Sequence, residues 1–334
     1  MSRGQIKLYA NRSGEQFANN LSEELSRLYH KKIPLSQIKT DYFADGEAKT
    51  KIVKSNGDNP DDTVTGRDVY LVQSCFDPTK ERSVNDNFLE FLITVDALKR
   101  NGAHKITAVL PYHPFCRQDR YKEREPLTSR LVINLMETSG VDNVITCDMH
   151  SDQLGGFYDK ARITNLKAKR IFFRELRENH SEFLENLTVI SPDVGASKRG
   201  EDYAKEFHSR IAQAFKVRTE GSVNKIDKLT IKGDIEGNNI LIPDDMVDTA
   251  GTLEKLFKYL EDKKTLDSIV CCTHALLNGQ AIERIRKTGA ALLTTDSIPR
   301  TEEFERQNPW YKQVSLAPSF AHIIYRLNHD QSLS

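Results

Sequence analysis

Apolar positions along this chain gather into short runs that alternate with longer segments of helical spacing. Asp68–Gln73 (DVYLVQ) is one such run, and Asn87–Arg100 sets Phe88, Leu89, Phe91, Leu92, Val95 and Leu98 at helical intervals. Ile106–Leu110 reads as a strand, Ser129–Met136 as a helix and Asn143–Cys147 as a strand. The pattern restarts with a strand at Leu187–Ile190, a helix through Asp202–Phe215, and strands at Lys228–Ile231 and Ile240–Ile242. A helix at Leu253–Leu260 and a strand at Ser268–Cys272 follow. Alternation of this kind predicts an α/β chain with parallel sheets covered by helices. Two series suggest two similar halves, with a seam expected near Asn165. The domains would then be 1–164 and 165–334, the last helix able to pack back on the first. Lys54–Thr65 (KSNGDNPDDTVT) is a loop by composition, and Lys216–Lys225 (KVRTEGSVNK) reads as another, between a helix and a strand.

Composition narrows the function more than the fold. The 334 residues suffice for two domains. Lys plus Arg and Asp plus Glu balance at 48 each, which speaks against a nucleic-acid partner. No apolar run approaches the roughly 18 residues of a membrane span, so no membrane partner is expected. The opening MSRGQIKLYANRSGEQ lacks the apolar core of a secretory signal. Cys75, Cys116, Cys147, Cys271 and Cys272 form no CxxC, and several lie in apolar runs where a free thiol acts as a small hydrophobe. A reducing, cytoplasmic setting is expected.

Candidate chemistry concentrates in Ile240–Leu253, ILIPDDMVDTAGTL. The apolar run stops at two adjacent carboxylates, and the stripe Leu253, Leu256, Phe257, Leu260 begins the next helix. Asp244–Thr252 is therefore expected as a loop at the carboxyl end of a parallel strand, where open α/β sheets bind ligands. Small residues let backbone N–H groups converge on an anion beside a helix N-terminus, while the carboxylates accept hydrogen bonds from a diol. Such a loop could grip a sugar phosphate. The plainer alternative is a helix N-cap, Asp248 or Thr249, beside solvated aspartates.

This stretch resembles the ribose-5-phosphate loop of the ribose-phosphate pyrophosphokinases, a loop that type I phosphoribosyltransferases share in looser form. Four further segments resemble that family in the same order. They are YFADGEAKTKI (Tyr42–Ile52, the adenine loop), PYHPFCRQDRYKEREPLTSRL (Pro111–Leu131, the ATP segment), TCDMHSDQLGGFYD (Thr146–Asp159, the metal segment) and SPDVGASKR (Ser191–Arg199, the pyrophosphate loop). The resemblance implies two type I phosphoribosyltransferase-like domains, each a mainly parallel sheet flanked by helices. It implies a homo-oligomer, usually dimers within hexamers. The implied reaction moves the β,γ-diphosphate of ATP, as its Mg2+ complex and with a second Mg2+, to the 1-hydroxyl of ribose 5-phosphate, releasing AMP.

By the same resemblance Asp244, Asp245, Asp248, Thr249, Ala250, Gly251 and Thr252 hold ribose 5-phosphate. Asp193, Val194, Gly195 and Ala196 form the pyrophosphate loop, and His150 and Asp193 are the magnesium positions. Phe43, Asp45, Glu47, Arg117 and Gln118 contact ATP, the first three reaching a neighbouring subunit. Lys216 and Arg218 match a basic pair on a mobile catalytic loop, and both suit phosphoryl oxygens. Three departures stand out. Ala196 replaces a frequent second glycine, so backbone approach to a phosphate is expected to be less free. THALLNGQA carries Asn278 and Gln280 where the family has Ser and Pro. The chain ends in QSLS, which implies altered regulation by phosphate and ADP. A non-catalytic subunit of the family and a base phosphoribosyltransferase remain the alternatives.

Overall fold

A computed structural model describes residues 4–53, 63–217 and 228–333. One compact unit comprises Met1–Leu166, Ser297–Pro299 and Ser315–Ser334. Its elements up to Leu166 run β1 (Ile6–Ala10), α1 (Glu15–Tyr29), β2 (Leu35–Ser36), β3 (Ile38–Tyr42), β4 (Ala48–Ile52) and β5 (Asp68–Val72). Then come α2 (Val84–Arg100), β6 (Lys105–Leu110), α3 (Thr128–Ser139), β7 (Asn143–Cys147) and β8 (Arg162–Leu166). Among the described residues the sheet has the order β2-β1-β5-β6-β7-β8, with every pair parallel. Both faces are covered, which is why DVYLV is buried at every position rather than at alternate ones. Phe88, Phe91, Val95 and Leu98 of α2 and Val132, Ile133 and Met136 of α3 pack against it. Ser83 starts α2 through a capping box with Asp86, and Gly140 ends α3 in the left-handed region. Strands β3 and β4 form a separate antiparallel hairpin. Of the polar stretch expected as a loop at Lys54–Thr65, residues 54–62 lie outside the described residues.

The second unit, Lys167–Asp296 with Arg300–Val314, begins with α4 (Lys169–Asn179), β9 (Leu187–Ser191), α5 (Ser197–Glu206), β10 (Arg210–Val217) and β11 (Lys228–Lys232). It continues through β12 (Asn239–Val247), α6 (Gly251–Leu260), β13 (Ser268–Ala275), α7 (Ala281–Thr288), β14 (Ala291–Thr295), α8 (Glu302–Gln307) and β15 (Tyr311–Val314). Among the described residues its sheet has the order β11-β10-β9-β12-β13-β14-β15, parallel except for the β10–β11 pair.

Three expectations are corrected here. The helix read through Asp202–Phe215 stops at Glu206, and Arg210–Val217 is a strand. His208, at φ 49°, turns the chain. Ala212 and Ala214 then face the core as alternate residues of a strand, not as one side of a helix. Gly233 lies so close to Ala212 that a Cβ there would come within 2.6 Å of the alanine Cβ, so small residues are required at this crossing. Secondly, Lys216 and Val217, read as the start of a loop after a helix, end strand β10, and Lys216 pairs with Leu229 of the antiparallel β11; residues 218–225 lie outside the described residues. Thirdly, β12 runs past Ile242 to Val247. The long partner β13 carries it onward, pairing Asp244 with Cys272 and Val247 with Ala275. The acidic pair therefore sits in a strand, and the connection to α6 is only Asp248–Ala250.

Helix α9 (Ala317–Asn328) belongs to the first unit and packs on α1, with Phe17 edge-on to Phe320 at 5.4 Å. Asn328 donates to Asp68 Oδ2 at 2.8 Å and accepts from the Tyr29 hydroxyl at 2.9 Å, tying the helix to the end of β5.

Also in the first unit, buried His113 donates from Nδ1 to the Pro114 carbonyl at 2.8 Å and accepts at Nε2 from the Tyr158 hydroxyl at 2.7 Å. Burial pushes its pKa from 6.5 down to about 4. An unfolded chain therefore binds more protons than the folded one between those values. The stability present above pH 6.5 is lost as pH falls toward 4, by about 3 kcal/mol in total. Urea midpoints at neutral and mildly acid pH should show this slope. His113→Gln, which keeps a donor and an acceptor, is expected to flatten it.

Candidate active site

Two half-repelling carboxylates define the site in the second unit. Asp245 is buried and Asp244 partly so at the carboxyl end of β12. Arg199 Nη1 lies 3.3 Å from Asp244 Oδ1 and 3.3 Å from Asp245 Oδ1. The Asp245 amide also donates to Asp244 Oδ1 at 2.9 Å. Burial, and after it the charge of Asp245, holds the Asp244 carboxyl well above the usual carboxylate range; Arg199 offsets part of this. One guanidinium shared by both carboxylates thus offsets part of the repulsion within the pair.

Arg199 reaches that position because α5 lies close against the sheet. A Cβ on Gly200 would fall 2.0 Å from Ser191 Oγ, so only glycine permits the approach. The same strand-to-helix connection forms the turn predicted for pyrophosphate. Asp193, Val194 and Gly195 are exposed, and Asp193 Oδ1 accepts from the Ala196 amide at 3.0 Å, capping the turn. Ala196 is packed into the unit, at 3% exposure. Its methyl therefore does not crowd the exposed face of the turn, contrary to the expectation drawn from its replacement of glycine.

Beyond Val247 the chain turns through Asp248, Thr249 and Ala250 into α6. Ala250 adopts φ 57°, a left-handed conformation that costs a non-glycine residue roughly 1 kcal/mol. A second connection holds the turn from behind: Asn278 Nδ2 donates to Asp248 Oδ1 at 2.8 Å, and Arg284 Nη1 donates to the Thr249 carbonyl at 2.8 Å. Gly251 and Thr252 open the helix, with their amides in its first turn.

In the first unit, Phe43, Asp45 and Glu47 form the tip of the β3–β4 hairpin. Phe43 is 54% exposed, and its amide donates to the Glu47 carbonyl at 2.9 Å. Asp45 Oδ1 accepts from the Glu47 amide at 3.1 Å, so one of its oxygens shapes the turn. The hairpin is anchored next to its tip by Tyr42, whose hydroxyl donates to Glu90 at 2.9 Å under a guanidinium, that of Arg82, 3.4 Å from the ring centre. Arg117 and Gln118 are exposed on the connection after β6, where the Ser129 amide donates to the Gln118 carbonyl at 3.1 Å.

His150 is exposed just beyond β7, in the first unit, and Asp193 just beyond β9, in the second. Among the described residues no group of three or more His, Cys, Asp or Glu side chains could hold a metal ion. Single oxygen donors such as Asp193 suit magnesium that arrives on a nucleotide and keeps its waters, rather than a metal in a protein cage. The backbone of Lys216 is at the end of β10, and Arg218 lies outside the described residues.

Sequence reasoning passes over Arg199 and Arg284, and treats Asn278 only as a departure from the family with no catalytic role. Arg199 stood inside a quoted motif, three residues beyond the turn. The signal for it was two neighbouring carboxylates that needed a cation.

Comparison with known proteins accounts for nearly the whole chain. The family described as the N-terminal domain of ribose phosphate pyrophosphokinase matches residues 6–140, and that described as the phosphoribosyl transferase domain matches residues 162–304. A ribose-phosphate pyrophosphokinase of Campylobacter jejuni is 35% identical over 331 residues, 98% of this chain and 97% of the relative. One from Clostridium tetani is 34% identical over 334 residues, 99% of this chain and 97% of the relative. The crystal structure of phosphoribosylpyrophosphate synthetase from Mycobacterium smegmatis superimposes with a TM-score of 0.84 at 29% identity, covering 98% of this chain and 99% of that one. No helix among the described residues is long and apolar enough to cross a membrane.

Proposed function

The chain belongs to the ribose-phosphate pyrophosphokinase family, and on that premise we propose how its residues divide the work. Ribose 5-phosphate is held in the second unit. Asp244 and Asp245 accept hydrogen bonds from ring hydroxyls, and the amides of Thr249 to Thr252 receive the 5-phosphate at the N-terminus of α6. ATP enters as its magnesium complex. Adenine stacks on Phe43 of a neighbouring copy, Asp45 and Glu47 accept from its polar edge or ribose, and Arg117 and Gln118 take further contacts. The exposed Val194 and Gly195 of the Asp193–Ala196 turn offer their amides to the diphosphate, and Asp193 and, in the first unit, His150 would each take magnesium through its waters.

The 1-hydroxyl oxygen attacks the β-phosphorus, the bond from that phosphorus to the α,β-bridging oxygen breaks, and AMP departs while the hydroxyl proton is released. Charge spreads over phosphoryl oxygens during this exchange, so positioning and cations do most of the catalysis. Lys216 and Arg218 supply those cations. A cytoplasmic setting accords with five buried, free thiols.

The observation that carries this reading is the acidic pair bridged by Arg199 beside the loop into α6. Purified protein supplied with MgATP and ribose 5-phosphate is expected to yield AMP and phosphoribosyl pyrophosphate, with activity per subunit falling on dilution as copies separate. Consumption of phosphoribosyl pyrophosphate only in the presence of a nucleobase would overturn it, as would no turnover at any protein concentration.

A further inference from the structure

The segment Leu276–Arg284 carries no assigned role, yet it touches the loop into α6 at every turn. Two backbone bonds continue the β12–β13 pairing past the strand ends: Leu277 N–H to the Val247 carbonyl at 3.2 Å, and Asn278 N–H to the Asp248 carbonyl at 2.9 Å. Leu277 and Gly279 both sit at positive φ, 54° and 60°, which aims the segment at the loop. The Asn278 amide then donates to Asp248 Oδ1 at 2.8 Å. From the next helix, Arg284 donates to the Thr249 carbonyl at 2.8 Å, pairs through Nε with Glu254 at 3.0 Å and meets Gln280 Oε1 at 3.4 Å.

A trans peptide is planar, so its carbonyl and its N–H point in opposite directions. Pinning the Asp248 carbonyl fixes the direction of the Thr249 N–H, and pinning the Thr249 carbonyl fixes that of the Ala250 N–H. Both carbonyls face the bracing segment, so both N–H groups face away from it. Two successive amides aimed the same way make an anion-binding concavity. The left-handed Ala250 is the conformation such a concavity needs, and the brace holds it there. Asn278 at the same time fixes the orientation of the Asp248 carboxylate through Oδ1.

We propose that Asn278 and Arg284 are positioning residues for ribose 5-phosphate, orienting Asp248 and the Thr249 and Ala250 amides without touching the ligand. This rests on the assignment of the Asp248–Thr252 loop above. The test is calorimetric titration of ribose 5-phosphate into the full chain with a non-reactive α,β-methylene analogue of MgATP present, alongside steady-state KM values and melting temperatures. Asn278→Ala is expected to weaken ribose 5-phosphate about tenfold, the size of one hydrogen bond to a charged group, with KM for MgATP within about twofold of wild type. Asn278→Ser, polar but too short to span the contact, should behave like alanine. Asn278→Asp should be worse than either, because it sets a like charge against Asp248, and should recover toward the alanine variant at lower pH. Arg284→Met is expected to weaken ribose 5-phosphate to a similar degree.

Wild-type affinity in the Asn278 variants would overturn the inference alone. So would a rise in both KM values in step with a lowered melting temperature, because that pattern marks general damage. A wild-type protein that neither binds nor converts ribose 5-phosphate would overturn the loop's assignment and the inference with it.

Discussion

Lys216→Ala is expected to lower kcat by about 10²- to 10³-fold while ribose 5-phosphate affinity stays within about twofold. The reason lies in when the charge is needed. Negative charge moves onto the departing and non-bridging phosphoryl oxygens only as the β-phosphorus changes partners. A lysine that meets those oxygens at that moment stabilises the transition state more than the bound substrates. Position matters as much as charge. The backbone of Lys216 is held in β10 by pairing with Leu229. Lys216→Arg retains the charge but changes its shape, and should recover only part of the rate. Single-turnover kinetics with direct titration of each substrate would separate the terms. A large loss of affinity at unchanged turnover would assign Lys216 to ground-state binding instead.

Arg199→Met is expected to destabilise the second unit by about 2 kcal/mol and to abolish ribose 5-phosphate binding. The variant keeps the apolar stem of the side chain but leaves Asp244 and Asp245 together with no cation between them. These groups keep some contact with solvent, 26% for Arg199, 22% for Asp244 and 10% for Asp245, which is why the expected cost is below that of a fully buried pair. Asp244→Asn should show the opposite sign. It relieves the repulsion and the cost of burying a second charge, so the unit should be as stable as wild type or more so, by on the order of 1 kcal/mol, while sugar binding is lost.

The pH dependence follows the same logic. Asp244 has its carboxyl raised by burial, so its protonated form favours the folded state. That contribution is fully present below the unfolded value of 3.8 and is lost as pH rises through the folded one. Asp244→Asn should remove this loss. In that background Arg199→Met should cost less than in wild type, and the double-mutant cycle measures the coupling. Strict additivity would mean that the guanidinium does not act on the pair.

The stretches that were legible before the structure share one property: their meaning is local. Asn87–Arg100 reads as a helix because its apolar spacing fits one face, and the capping box at Ser83 only sharpens its start. The apolar run of β5 reads as a strand-like segment, and the structure buries it at every position. By contrast, RIAQAF reads as the end of a helix. Its alanines suit either geometry, and a turn at His208, together with pairing to β9 and β11, decided for a strand. The acidic pair is visible in ILIPDD, but the end of the apolar run there predicts a loop. The partner that draws it into β12 is β13, some thirty residues further on.

Order and chemistry of the motifs were therefore set by the chain itself: paired carboxylates before a small-residue turn, an apolar run before each of them, and a balanced charge around them. Only the tertiary structure decided what neutralises those carboxylates and what aims the amides beside them. Arg199 lies 45 residues before Asp244, and Asn278 lies 30 after Asp248. Neither distance has a periodicity that a sequence could display. A hydrogen bond between such residues exists because two parallel strands and their helices are stacked, and that stacking is fixed by the burial of many apolar side chains together, not by the residues that form the bond.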